Sequence, residues 1–82
     1  MEQMIRDVLA AYGRLGVDVQ TLDPSADLYE AGLTSHASVN VMLGLEEAFD
    51  IELPAALLRK STFASIGAIE RAVRTLPASL VG

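Results

Sequence analysis

Apolar side chains recur at helical spacing in three stretches of this 82-residue chain, and this periodicity constrains the fold more than any other feature. The predicted helices cover residues 2 to about 14, 34–50 and about 63–75. Their apolar faces are Ile5, Val8, Leu9 and Tyr12 in the first, Val39, Met42, Leu43, Leu45 and Phe49 in the second, and Phe63, Ile66, Ile69, Ala72, Val73 and Leu76 in the third. No stretch shows the alternation of a half-buried strand, so the pattern predicts an all-α fold.

Glycine, proline and hydroxyl residues mark the ends of the first two helices. Gly13 and Gly16 weaken the first helix and end it. Thr34 or Ser35 can cap the start of the second helix. After that helix, Pro54 disfavours helical backbone at the residue before it.

A short helical turn is predicted from residue 55 to about residue 60, between the two later helices. Ser61 and Thr62 then cap the last helix, and Pro77 stops it. The expected layout is therefore three longer helices and one short helix.

The connection between the first two helices, residues 15 to about 33, is long. It holds a turn cluster at Asp23, Pro24 and Ser25. Apolar residues recur through it, namely Leu15, Val17, Val19, Leu22, Leu28 and Leu33. A structureless connection of this length is unusual in a compact domain and is often functional. We expect an ordered loop that these side chains pin over the helices.

Acidic residues dominate the middle of the chain, whose net charge is −5. No Lys or Arg occurs between residues 15 and 58. The acidic residues of that stretch are Asp18, Asp23, Asp27, Glu30, Glu46, Glu47, Asp50 and Glu52. Such a surface would repel nucleic acid and anionic lipid, and it suits a partner with a basic surface. A solvated acidic surface without any partner explains the same pattern.

The length fits a single domain over residues 1–82 that folds by packing alone. Cysteine is absent, so neither a disulfide nor a thiolate metal site is available, and one histidine cannot make a zinc site with its usual partners. The first ten residues are not a signal peptide, and no stretch approaches the length of a transmembrane helix. We therefore expect a soluble, cytoplasmic protein.

Catalytic groups are scarce. The only histidine, His36, is directly next to Ser35, and neighbours on a helix point about 100° apart, so His36 is poorly placed as a base for Ser35. Glu46 and Glu47 diverge for the same reason, and a small helical domain offers them no deep cleft. No phosphate-binding glycine loop and no dinucleotide fingerprint is present. The sequence predicts neither a catalytic residue nor a metal site.

One segment, DLYEAGLTSH at residues 27–36, resembles the attachment motif of acyl carrier proteins. The similarity continues through LEEAFD at residues 45–50 and IELP at residues 51–54, without a gap between Ser35 and Phe49. The resemblance implies a small four-helix bundle of the acyl-carrier type, with 4'-phosphopantetheine attached to Ser35 and flanked by Thr34 and His36. Ser35 could alternatively be only a helix cap. The helix start also suits the phosphate of such an arm, because free N–H groups and the positive dipole end lie there.

Two residues depart from the family pattern, since Thr34 and His36 stand where Asp and Leu are usual. The string GLTSHASV at residues 32–39 looks like discrete aminoacyl carrier proteins, which a ligase related to aminoacyl-tRNA synthetases loads with an amino acid. Alternatives are a carrier of fatty-acid, polyketide or non-ribosomal peptide biosynthesis, or an unmodified helical interaction module. His36 is either a solvent-facing residue or a contact with the arm or a loading partner.

The resemblance also implies partners. These are a phosphopantetheinyl transferase, an amino acid:[carrier protein] ligase or another loading enzyme, and a downstream acyl acceptor, with no nucleic acid and no membrane. They would dock on the second helix and the loop before it. The predicted docking residues are Leu33, Ala37, Asn40, Val41, Gly44 and Glu47.

Overall fold

The computed structural model describes residues 1–76, and these residues form a helical fold. The α-helices are α1 (Glu2–Val8), α2 (Ser35–Phe49) and α3 (Ile66–Arg74). No residue from 1 to 76 lies in a β-strand, which agrees with the predicted all-α class. In the same part of the chain, no helix has the length and apolar character needed to cross a bilayer.

The first helix continues past α1 as a π-helical segment, Leu9–Gly13, and ends at Arg14. Arg14, rather than a glycine, takes the left-handed backbone conformation at this end, with φ of 52°. The predicted end near residue 14 is confirmed, but the assignment of the stop to Gly13 and Gly16 was wrong. Gly13 is buried, where a Cβ atom would lie at ordinary contact distances from Leu9, Leu15 and Val41.

The connection from α1 to α2 is tied down by backbone hydrogen bonds. The Leu28 N–H donates to the Ala64 carbonyl at 2.8 Å, and the Gly67 N–H donates to the Pro24 carbonyl at 2.9 Å. Val19 lies in a short 3₁₀ turn, Val19–Thr21, and is buried. Buried Arg6 reaches this turn, donating through Nη1 to the Val19 carbonyl at 2.7 Å.

The apolar residues of this connection divide between core and surface. Val19, Leu28 and Leu33 are buried, and Leu15 and Leu22 pack against the core from its edge. Val17, which the sequence also predicted to hold the loop over the helices, is 47% exposed. The side chains that do reach the core hold the segment directly before α2 in one position.

The core lies between α1, α2 and α3. Its largest fully buried side chains are Ile5, Leu9, Leu28, Val41, Leu45, Ile66 and Ile69. On α2 the buried residues are Ala37, Val41, Gly44 and Leu45, so the inward face differs from the predicted stripe, of which Val39 and Leu43 are exposed.

Two 3₁₀ turns, Ala55–Leu57 and Lys60–Phe63, occupy the place of the predicted short helix. The last helix begins later than predicted, because Ser65 rather than Ser61 or Thr62 caps it. The Ser65 Oγ accepts from the Ala68 N–H at 3.0 Å. The predicted stop at Pro77 lies outside the described residues.

Candidate functional site

Ser35 is the first residue of α2, and Thr34 caps the helix in front of it. The Thr34 Oγ1 accepts a hydrogen bond from the Ala37 N–H at 3.0 Å, with Thr34 in extended backbone. Within residues 1–76 the Ser35 hydroxyl makes no hydrogen bond, and its side chain is exposed. Thr34 therefore takes the capping role, which leaves the Ser35 hydroxyl accessible for chemistry.

The electrostatics at this helix start favour an anion bonded to Ser35. The first N–H groups of a helix have no partner within the helix, and the macrodipole places partial positive charge there. The Thr34 oxygens satisfy only the Ala37 and Ser38 N–H groups. The phosphate of a phosphodiester on Ser35 would therefore lie next to partial positive charge and hydrogen-bond donors.

An apolar groove of about 310 Å³ opens beside Ser35, between α2 and the 3₁₀ turns. Its lining consists of Tyr29, Ser35, Ser38, Val39, Met42, Leu58, Arg59, Lys60 and Phe63. Val39 and Met42 follow Ser35 by four and seven residues, which places them on its side of the helix. This spacing could have identified both residues from the sequence, whereas Tyr29, Leu58 and Lys60 come from other segments.

Tyr29 joins the loop before α2 to the far wall of this groove. Its hydroxyl donates to the Lys60 carbonyl at 3.1 Å, and the Lys60 Nζ lies 5.0 Å from the ring centroid. Burial raises the pKa of Tyr29, and the Asp27 carboxylate adds to this rise. The protonated phenol donates this hydrogen bond across the groove, and the raised pKa extends its donor range further into alkaline pH.

A second cleft, of about 360 Å³, lies on the other side of the helix start. It is lined by Gly13, Arg14, Gly32, Thr34, His36, Ala37 and Asn40. Arg14 and His36 border this cleft, whereas Arg59 and Lys60 border the apolar groove on the opposite side. Basic side chains therefore flank Ser35 on both sides. In a chain of net charge −5, the fold thus brings basic residues from both ends of the acidic stretch to the two sides of Ser35.

The other predicted site residues are either accessible at the surface or buried. Thr34 and His36 are exposed beside Ser35. Of the predicted docking residues, Asn40 is half-buried and Glu47 is exposed. Leu33, Ala37, Val41 and Gly44 are instead buried, although Ala37 lines the cleft beside Thr34 and Gly44 lines a groove on α2.

A small helical fold with an accessible serine at a helix start and an adjacent groove is the arrangement that a carrier of a covalently attached prosthetic arm requires. Residues 5–73 match the family model described as the phosphopantetheine attachment site. The chain belongs to this family of phosphopantetheine-binding carrier proteins, and within it to the discrete aminoacyl carrier proteins. It is a carrier and not an enzyme, and its prosthetic group is 4'-phosphopantetheine.

A sequence relative and a solved structure support this assignment. The aminoacyl carrier protein of Agrobacterium fabrum is 54% identical over 76 residues, which cover 93% of this chain and 92% of that protein. The carrier protein from Agrobacterium tumefaciens, crystallised with engineered Bradyrhizobium japonicum glycine:[carrier protein] ligase and AMP, superposes with a TM-score of 0.87. That match is 55% identical and covers 90% of this chain and 99% of the other.

A more distant match comes from the crystal structure of Bradyrhizobium japonicum glycine:[carrier protein] ligase complexed with glycylated carrier protein. It is 31% identical, with a TM-score of 0.73, and it covers 87% of this chain and 95% of that one. The carrier fold therefore persists at much lower sequence identity.

Proposed function

We propose that Ser35 is the attachment residue and that the arm it bears carries an amino acid delivered by an amino acid:[carrier protein] ligase. This proposal rests on one observation at the start of α2. Thr34 provides the helix cap, and the Ser35 hydroxyl remains accessible. The relatives crystallised with glycine:[carrier protein] ligase support the choice of partner.

The chain's own residues have limited tasks in this function. A phosphopantetheinyl transferase would join the Ser35 Oγ to the phosphate of the arm donor, coenzyme A, with loss of the hydroxyl proton and release of the nucleotide. The helix start and the flanking Arg14, Arg59 and Lys60 would favour the resulting negative charge. Once attached, the arm supplies a terminal thiol that holds the cargo as a thioester and passes it to a downstream acceptor.

The groove beside Ser35 suits the uncharged part of the arm. Its walls are mainly apolar, with Val39, Met42, Leu58 and Phe63 among them. Thr34 and His36 would contact the base of the arm, and exposed Glu47 and half-buried Asn40 remain available to docking enzymes. Such contacts would be small and transient, because a carrier must leave each enzyme in turn.

The same proposal extends to architecture and location. The two 3₁₀ turns between α2 and α3 would occupy the place of the short helix in the family's four-helix bundle. Residues 1–82 would act as one carrier domain in the cytoplasm, without nucleic acid or membrane as a partner.

Loading with cargo tests this function. The arm-bearing protein is incubated with ATP, a panel of amino acids and a ligase of the glycine:[carrier protein] class, and its intact mass is measured before and after hydroxylamine treatment. We expect the mass of one amino acid residue to be added and then removed by hydroxylamine, which cleaves thioesters. The Ser35→Ala variant should gain nothing. If simple carboxylic acids are added to the panel, loading with one of them and with no amino acid would overturn the proposed cargo and leave the attachment site intact.

A further inference from the structure

Another apolar groove, of about 290 Å³, lies on the surface where α1 and its π-helical continuation meet α2, and we call it the α1–α2 groove. Its lining consists of Met4, Asp7, Val8, Ala11, Tyr12, Gly44, Glu47 and Ala48. Of the large exposed hydrophobic side chains, Met4 is 42% exposed and Tyr12 is 41% exposed, and Leu43 at the adjoining surface is 53% exposed. Met4 and Tyr12 therefore line this groove, and Leu43 lines an adjoining cleft that shares Tyr12, Gly44 and Glu47 with it.

Gly44 creates the floor of this groove. A Cβ atom at position 44 would lie 2.7 Å from the Tyr12 ring and 2.9 Å from Val8 Cγ1, closer than such contacts allow. The missing side chain lets the Tyr12 ring and Val8 pack directly against the α2 backbone. The groove is thus a consequence of how these two helices pack.

The charged residues that line the groove are both acidic, Asp7 and Glu47. The Asp7 carboxylate accepts hydrogen bonds from the Gln3 and Gln20 side-chain amides at 2.9 and 3.2 Å, which are neutral partners and leave its charge uncompensated. Arg6, the nearest cation along α1, is turned away and bound to Glu2 and to the Val19 carbonyl. A ligand that fits this surface therefore combines an apolar anchor with positive charge.

The groove faces away from the attachment site. Gly44 follows Ser35 by nine residues, which places it about 13 Å further along α2 and about half a turn around the helix axis. None of its lining residues is shared with the groove beside Ser35. A partner bound between α1 and α2 would leave the arm free to move.

We propose that the α1–α2 groove is a docking surface for an amphipathic helix of a partner protein, whose apolar side chain enters between Tyr12 and Met4 and whose Lys or Arg residues pair with Asp7 and Glu47. This inference goes beyond the proposed function and does not depend on the arm. The groove volume accommodates one or two apolar side chains, so the interaction is weak and fast, as suits a carrier that must be held near several enzymes.

A peptide titration tests this surface. The probe is a synthetic helical peptide with a Leu and Phe stripe flanked by Lys and Arg, and its twin has Glu at every basic position. Amide shifts of the isotope-labelled Ser35→Ala protein are followed by NMR, so modification plays no part in the result. We expect the largest shifts at Met4, Ala11, Tyr12, Leu43 and Ala48, with the acidic twin binding roughly tenfold more weakly.

Matched variants locate the interaction. Leu43→Ser should weaken binding of the basic peptide several-fold, and Glu47→Gln should weaken it and reduce its dependence on salt. Val17→Ser removes an equally exposed apolar side chain away from the groove and should leave the affinity unchanged. Equal binding of the two peptides, equal effects of Leu43→Ser and Val17→Ser, shifts centred on the Ser35 groove, or no binding at millimolar peptide would each overturn the proposal.

Discussion

At the residue scale, the accessible hydroxyl of Ser35 depends on its neighbour. A serine at a helix start is ordinarily the cap itself, with its oxygen bonded to the backbone. Here the Thr34 side chain accepts that bond from the Ala37 N–H, so the residue before Ser35 is the cap. The departure from the usual family residue at position 34 therefore retains a side chain that caps α2, while it removes one negative charge next to Ser35.

Replacing Thr34 with Ala should destabilise the protein by about 1 kcal/mol, because the Ala37 N–H loses its partner at the start of α2. Thr34→Ser keeps the hydroxyl and should retain most of the stability. Urea unfolding followed by circular dichroism measures both values. Equal stability of the Ala and Ser variants would show that the cap is not significant.

Arg14 offers a second test at this scale, since its positive φ of 52° is costly for a residue with a Cβ atom. Arg14→Gly should stabilise the protein by about 0.5–1 kcal/mol by removing this strain. Arg14→Ala keeps the Cβ atom and should give no such gain. Thermal unfolding measures the melting temperatures of both variants. Equal melting temperatures would show that the backbone at position 14 is not strained.

At the element scale, α2 shows what helical spacing can and cannot predict. The sequence predicted the extent of this helix and limited its cap to Thr34 or Ser35, because both features depend on local residues. It did not predict the buried face, because apolar residues occur all around α2 and spacing alone does not select one side. The small residues Ala37 and Gly44 face inward instead of Val39 and Leu43, since they allow close approach of the neighbouring helix.

Gly44→Ala tests this packing through the sign of its effect. In an open helix the change would stabilise by about 1 kcal/mol, because alanine is the better helix former. Here the added methyl group collides with Tyr12 and Val8, so we expect a net loss of about 1–2 kcal/mol in the free energy of unfolding. In a Tyr12→Ala background the loss should shrink, because the closest colliding atoms are gone. A stabilised Gly44→Ala variant would contradict the packing described here.

The segment between α2 and α3 was harder to predict. The Ala55–Leu57 and Lys60–Phe63 turns lack the length that gives a helix its apolar repeat, so their boundaries depend on tertiary contacts. The Tyr29 hydrogen bond to the Lys60 carbonyl is one such contact, between residues 31 positions apart. A sequence pattern contains no signal for that pairing, and Tyr29 was accordingly missed as a groove residue.

At the scale of the whole molecule, charge is arranged around the site rather than spread evenly. The sequence shows the acidic stretch and the gap without basic residues, but only the fold shows that Arg14, Arg59 and Lys60 meet at the clefts on either side of Ser35. The family resemblance identified the cofactor and led to the proposal of Ser35 as its attachment residue. The positions of the basic residues could not be inferred from spacing, because they depend on how the helices pack.

The central claim is that Ser35 carries the arm, and intact mass spectrometry tests it most directly. The purified chain is incubated with coenzyme A, magnesium and a phosphopantetheinyl transferase of broad specificity. The wild type and the surface variant Ser61→Ala should each gain one phosphopantetheinyl group, and Ser35→Ala should gain none. A wild-type chain that stays unmodified, or a Ser35→Ala chain that still gains the group, would contradict the account.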